Sequence, residues 1–100
     1  MENLHRIIHP DGRSSIVTLD RHATLQDYYE WIGCNMIEVI HSANGKYEMI
    51  LDEEAKMKDP VPPTNPVACD MAGTPHVGDY RIVGIVVAQA IGPLTRLAIQ

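Results

Sequence analysis

Phenylalanine is missing from this chain of 100 residues, and Tyr28, Tyr29, Trp31, Tyr47 and Tyr80 are its only large aromatic side chains. A core without Phe must be filled by Ile, Val, Leu and Met, which favours strands with one helix laid on them. There are two cysteines, Cys34 and Cys69, with no paired spacing. That excludes a disulfide framework and the Cys-x-x-Cys type of zinc site, and it fits reduced thiols in the cytoplasm. No basic run exists: the 8 Lys and Arg residues are scattered and the formal net charge is −5. Such a charge pattern excludes the footprint that holds a duplex nucleic-acid backbone, while leaving a basic protein as a partner. The longest apolar stretch, Ile82 to Ile91, is interrupted by Gly84 and Gln89. It is far shorter than the ~20 residues a membrane-spanning helix needs, so it belongs to a core. Met1 leads into Glu2 and Asn3 rather than into a basic and then apolar leader, which also predicts a cytoplasmic protein.

What is present predicts one α+β domain over residues 1–100, with an apolar tail at 91–100. Hydrophobic residues make up 45% and charged residues 21%, a globular composition. Two β-branched runs, His5 to His9 and Ser15 to Leu19, flank Pro10-Asp11-Gly12-Arg13 and predict a first hairpin. Thr24 with Asp27 three residues on opens a helix whose Leu25, Tyr28, Tyr29 and Ile32 share one face, and Gly33 closes it. Met36 to Ser42 and Lys46 to Asp52 surround an Asn-Gly turn and predict a second hairpin. In its second strand Tyr47, Met49 and Leu51 alternate with Glu48, Ile50 and Asp52, a pattern that puts one face inward and one in water. Residues 52–58 are compatible with one helical turn before Pro60, Pro62, Pro63 and Pro66 forbid regular structure. A brief helix fits Val67 to Met71, and Tyr80 to Ala90 reads as a central strand covered on both faces. The order strand, strand, helix, strand, strand, loop, strand predicts a mixed sheet with one main helix across it. A β-grasp-like arrangement, with the last strand inserted beside the first, uses these pieces in that order. In the tail, Leu94, Leu97 and Ala98 fall at helical spacing and would cover an open edge of the core or meet a second copy.

Ligand chemistry is thinly signalled. His5 and His9 share a strand face but stand roughly 13 Å apart, too far for one ion, and read as surface or edge residues. Cys69, Asp70, His76 and Asp79 share a loop region, a composition that loops produce often, so no metal site is assigned. Nucleophile elbow, phosphate loop and dinucleotide fingerprint are all missing, and nothing brings Cys34 or Cys69 to His22, His41 or His76. No catalytic residue and no cofactor is predicted. Two contact regions remain. Thr64, Asn65, Thr74, Tyr80 and Arg81 lie in a Pro- and Gly-punctuated segment that could converge on a small anionic ligand, with Tyr80 stacking on a base. The bland alternative is that Asn65 satisfies its own loop and Arg81 pairs with Asp79 or Glu38. The acidic run Asp52-Glu53-Glu54 is the candidate protein-contact surface, and its bland alternative is a solvated turn.

Four short segments carry a resemblance: Ile37-Glu38-Val39 in a strand, the acidic Asp52-Glu53-Glu54 after the next, a Pro-rich turn running into Asn65 and Ala68, and Ile82-Val83-Gly84 opening the last strand. Between Ile32 and Ala88 the chain resembles domain of unknown function 3846, a small uncharacterised family of bacteria, phages and plasmids. The family's turn carries a leucine or similar residue before its proline, where this chain reads Pro60-Val61-Pro62-Pro63-Thr64-Asn65. The resemblance transfers no activity. It implies a setting: an accessory protein of a phage or mobile element, often beside genes that manage host defence. The expectation is therefore a non-enzymatic protein that binds a host protein and inhibits host defence. The alternative is an oligomeric sponge that sequesters a nucleotide-like signal, and a homodimer is compatible with both.

Overall fold

The computed structural model describes residues 3–91, so the tail beyond Ile91, and any part it takes in covering an edge or a second copy, lies outside the described residues. Five strands form one sheet: β1 (Asn3–Ile8), β2 (Ser14–Leu19), β3 (Ile37–His41), β4 (Tyr47–Asp52) and β5 (Val86–Ala90). Two helices accompany it, α1 (Leu25–Ile32) and α2 (Pro66–Ala72), with a single 3₁₀ turn at Ala55–Met57. The class is α+β. Across the sheet the order is β2-β1-β5-β4-β3, so the last strand does insert beside the first.

Every neighbouring pair is antiparallel, and the sheet is not the mixed one expected. The reason lies in the long connection between β4 and β5. These strands are adjacent and antiparallel, so residues 53–85 leave the sheet and return to it at the same end. This connection makes no crossover, and β4 and β5 therefore pair antiparallel.

A helix covers each face. Met49 and Leu51 of β4 and Val86 of β5 pack against Ala68, Cys69, Met71 and Ala72 of α2. The alternate residues Ile50 and Val87 pack with Ile7 against Ile32, Tyr28, Tyr29 and Trp31 of α1. Because side chains alternate along a strand, the two clusters lie on opposite faces. This corrects two expectations, a single main helix and a water-facing side for β4. Residues Glu48 to Asp52 are all buried. Buried Glu48 accepts from the Gln89 amide at 3.0 Å, and Gln89 accepts from the Tyr28 hydroxyl at 2.6 Å, so the polar side of β4 is satisfied under α1.

The local signals act as the sequence predicts at α1. The Thr24 hydroxyl accepts from the Asp27 amide, the Asp27 carboxylate accepts from the Thr24 amide, and Gly33 closes the helix at φ 77°. Arg21 and the Thr24 amide hold the Asp27 carboxyl well below the usual carboxylate range. The last strand is shorter than the apolar run suggests. Gly84, at φ 79°, breaks it, and residues 82–84 instead pair with the Pro-rich loop through Asn65 N–H to Ile82 O and Gly84 N–H to Pro63 O. The segment Ile82-Val83-Gly84 therefore precedes the last strand rather than opening it.

His5 is not a surface residue. It sits on β1 with neighbours on both sides, is buried at 4% exposure, and meets the rings of Tyr28 and Trp31 at 6.2 and 5.2 Å. Neither ring nitrogen has a hydrogen-bond partner of good geometry among the described residues. Burial pushes the imidazole below its ordinary value of 6.5, with Gln89 and the charge of Asp27 offsetting part of the effect. The folded state thus binds the proton less readily than the unfolded chain. Stability contributed by neutral His5 is complete above pH 6.5 and is lost as pH falls below that value toward the depressed folded one. Urea midpoints between about pH 7.5 and about pH 5 are expected to fall in the native sequence and to fall less in His5→Phe. Equal slopes in the two proteins would remove His5 as the cause.

Candidate functional site

A concavity of about 270 Å³ opens on the α2 face above β3 and β4. Its floor is Ile40 and Leu51, with Glu38 beside them; register sets Glu38 opposite Leu51 and Ile40 opposite Met49, which fixes the face they share. One wall is the 3₁₀ turn with Ala55 and Lys56, and the other is Thr74 with residues 79–83. The long connection between β4 and β5 supplies both walls, so one excursion of the chain builds the site.

The fold gathers several of the predicted contact residues here and separates others. Thr74, Tyr80 and Arg81 of the proposed ligand set and Asp52 and Glu53 of the acidic run all line the cleft. Thr64 lies elsewhere, bridged to Val83, and Glu54 is not among the lining residues. Asn65 is wholly buried and spent on the fold: its side-chain oxygen accepts from the Ala68 amide at 3.1 Å, and its amide nitrogen donates to the carbonyls of Ile8 and Gly84 at 3.0 and 2.9 Å. The acidic run is not uniformly solvated. Asp52 is buried at 7% exposure, pairs with Lys58 at 2.7 Å and accepts from the Glu54 amide.

Charge in the cleft is unevenly matched. Glu38, Glu53 and Asp79 are exposed, and their carboxylates have no hydrogen bond or ion pair among the described residues. The two cations, Lys56 and Arg81, turn to main-chain carbonyls instead: Lys56 donates to Asp79 O and Arg81 to Gly78 O at 2.7 Å. Arg81 therefore pairs with neither Asp79 nor Glu38. The Thr74 hydroxyl oxygen is buried with no hydrogen-bond partner among the described residues.

Tyr80, at 81%, is the most exposed large hydrophobic side chain among the described residues, and it lines the cleft. Val77 and Met57 are exposed at 77% and 75% on the chain next to the cleft but do not line it. Sequence reasoning found Tyr80. Glu38 and Lys56 carry no local signal, because the cleft exists only where distant segments meet.

The sulfur and imidazole groups do not assemble into a reactive site. Cys69 is fully buried and accepts from the Ile82 amide at 3.3 Å, while burial pushes the Cys34 thiol up. His76 pairs with Asp70 at 2.6 Å on the surface. No group of three or more metal-ligating side chains occurs among the described residues, and no helix among them is long and apolar enough to cross a membrane.

Comparison with family models, curated proteins and solved structures returns no match. The likeness to domain of unknown function 3846 thus rests on its four short segments, and the site must be read from its own chemistry.

Proposed function

We propose that this protein is a protein-recognition module that docks its partner at the cleft between the 3₁₀ turn and residues 74–83. The observation that carries this reading is the cleft's lining: Tyr80, the most exposed large apolar side chain among the described residues, stands beside the carboxylates of Glu38, Glu53 and Asp79, which have no partner among those residues. Exposed apolar surface beside polar groups is the anatomy of a docking surface, because burying it gives the affinity while the polar groups fix the register. The partner is a host protein, and the setting in a phage or plasmid, with inhibition of host defence as the outcome, rests on the resemblance described above. The buried thiols of Cys34 and Cys69 support binding rather than nucleophilic catalysis.

The nucleotide-sponge reading has weaker support. Arg81, Lys56 and Tyr80 share the cleft, but its carboxylates outnumber its cations and would repel phosphate. A volume of about 270 Å³ also falls below the roughly 300–1,000 Å³ of pockets for cofactor-sized ligands.

A photo-crosslinking residue placed at Tyr80, and separately at Leu25 on α1, tests the docking site in lysate of the native host. A discrete adduct from position 80 that disappears in Glu38→Lys/Asp79→Lys is the expected result. Equal adducts from both positions, or a nucleotide mass released from the purified protein on denaturation, would overturn it.

A further inference from the structure

We infer that the cleft receives an arginine side chain of the partner, an inference that rests on the docking reading above and names its chemistry. Three features of the cleft fit a guanidinium on an aliphatic stem. The first is charge: Glu38, Glu53 and Asp79 offer carboxylates without partners among the described residues, and the resident cations Lys56 and Arg81 are engaged with main-chain carbonyls rather than with them. A cation entering the cleft meets three carboxylates against two cations, a net negative balance, and displaces no existing ion pair. The second is the floor, where Ile40 and Leu51 present an apolar surface on which a three-carbon stem can lie while its head reaches the carboxylates. The third is Tyr80, whose ring is 81% exposed at the edge of the same cavity. A planar guanidinium stacks on such a face, and an exposed tyrosine beside carboxylates suits a cation far better than an anion.

Size points the same way. About 270 Å³ holds one long side chain and its water, and is small for a whole nucleotide or drug-sized ligand. Arginine is favoured over lysine because several carboxylates and an aromatic face reward a flat, multiply donating head group, whereas an ammonium is a compact point charge that is costly to dehydrate. Asp52 takes no part in the recognition, being occupied by Lys58 and the Glu54 amide.

The test uses the full chain and small probes: N-acetyl-arginine methylamide, its lysine counterpart, the neutral isostere N-acetyl-citrulline methylamide, and inorganic phosphate, each followed by amide shifts in ¹⁵N-labelled protein. Saturable shifts at Glu38, Asp79 and Arg81 with the arginine probe are expected, with citrulline weaker by about tenfold or more. The triple variant Glu38→Gln/Glu53→Gln/Asp79→Asn should weaken the arginine probe by about tenfold. All three positions are exposed, so the variant should keep its fold, and raising the salt concentration on the native protein should weaken binding in parallel. Citrulline binding as tightly as arginine, lysine binding more tightly, shifts outside the cleft, or phosphate taking the site would each overturn the inference. Failure of the probes while the position-80 adduct persists and remains sensitive to Glu38→Lys/Asp79→Lys would sink the arginine assignment alone. Loss of that adduct pattern as well would sink the docking reading with it.

Discussion

Replacing Asn65 by alanine is expected to cost about 3 kcal/mol of stability, the largest effect of any single polar substitution in this fold. The side chain does three things. It caps α2 through the Ala68 amide, and it satisfies the carbonyls of Ile8 at the end of β1 and of Gly84 before β5. Losing a cap costs about 1 kcal/mol, and each buried carbonyl left without a donor adds about 1–3 kcal/mol before relaxation or entering water reduces it. For a domain of this size the corresponding fall in Tm is more than about 10 °C. Asn65→Ser separates the contributions, since serine restores the cap but cannot reach the two carbonyls. It should recover about 1 kcal/mol and no more. Urea unfolding of the three proteins decides the matter: a loss below about 1 kcal/mol for alanine would mean that the tie between α2, β1 and the β5 approach is not holding the fold together.

Met49→Ala is the second large effect, expected at about 3 kcal/mol. Met49 is fully buried at the centre of the cluster that joins β4 and β5 to α2. Truncation there removes transferred apolar area and leaves a cavity that the flanking sheet, fixed by hydrogen bonds on both sides of β4, collapses into only partly. Leu4→Ala is the comparison. Leu4 shares this face of the sheet but is 60% exposed, because α2 reaches over only part of it. Its truncation should change stability by no more than about 0.5 kcal/mol. Similar costs at the two positions would contradict the partial cover given by α2.

Local structure was legible wherever one short segment carried its own instructions. Thr24, Asp27 and Gly33 bound α1 because capping is decided within a few residues, and the Asn44-Gly45 turn sets the register of β3 and β4 in the same way. Asn65, a ligand candidate by sequence with its own loop as the alternative, is instead the cap of α2, followed by Pro66 at the first helical position. Its two long-range bonds were not readable, as Ile8 stands far away in sequence. The alternation in β4 predicts one wet face because Glu48 and Asp52 are charged. What the pattern cannot show is that Gln89 and Lys58 meet those carboxylates under cover. The antiparallel β1–β5 pairing was hidden for a similar reason: strand direction depends on whether the 53–85 connection crosses the sheet, and its composition does not specify a path. The cleft followed suit. Tyr80 and Arg81 were found as turn-region residues with useful chemistry, but Glu38 becomes part of a site only when β3 is placed beneath them.

The central place of β5 also sets an order of assembly. Each hairpin, β1–β2 and β3–β4, is made from neighbouring sequence, and within the sheet no hydrogen bond joins one hairpin to the other. Only β5, the last described strand, pairs with both. During synthesis the two halves can form early, yet the sheet remains two separate ribbons until Val86 to Ala90 have emerged, and loop-closure entropy is spent at that late step. The strand that completes the sheet is the last of the five to leave the ribosome.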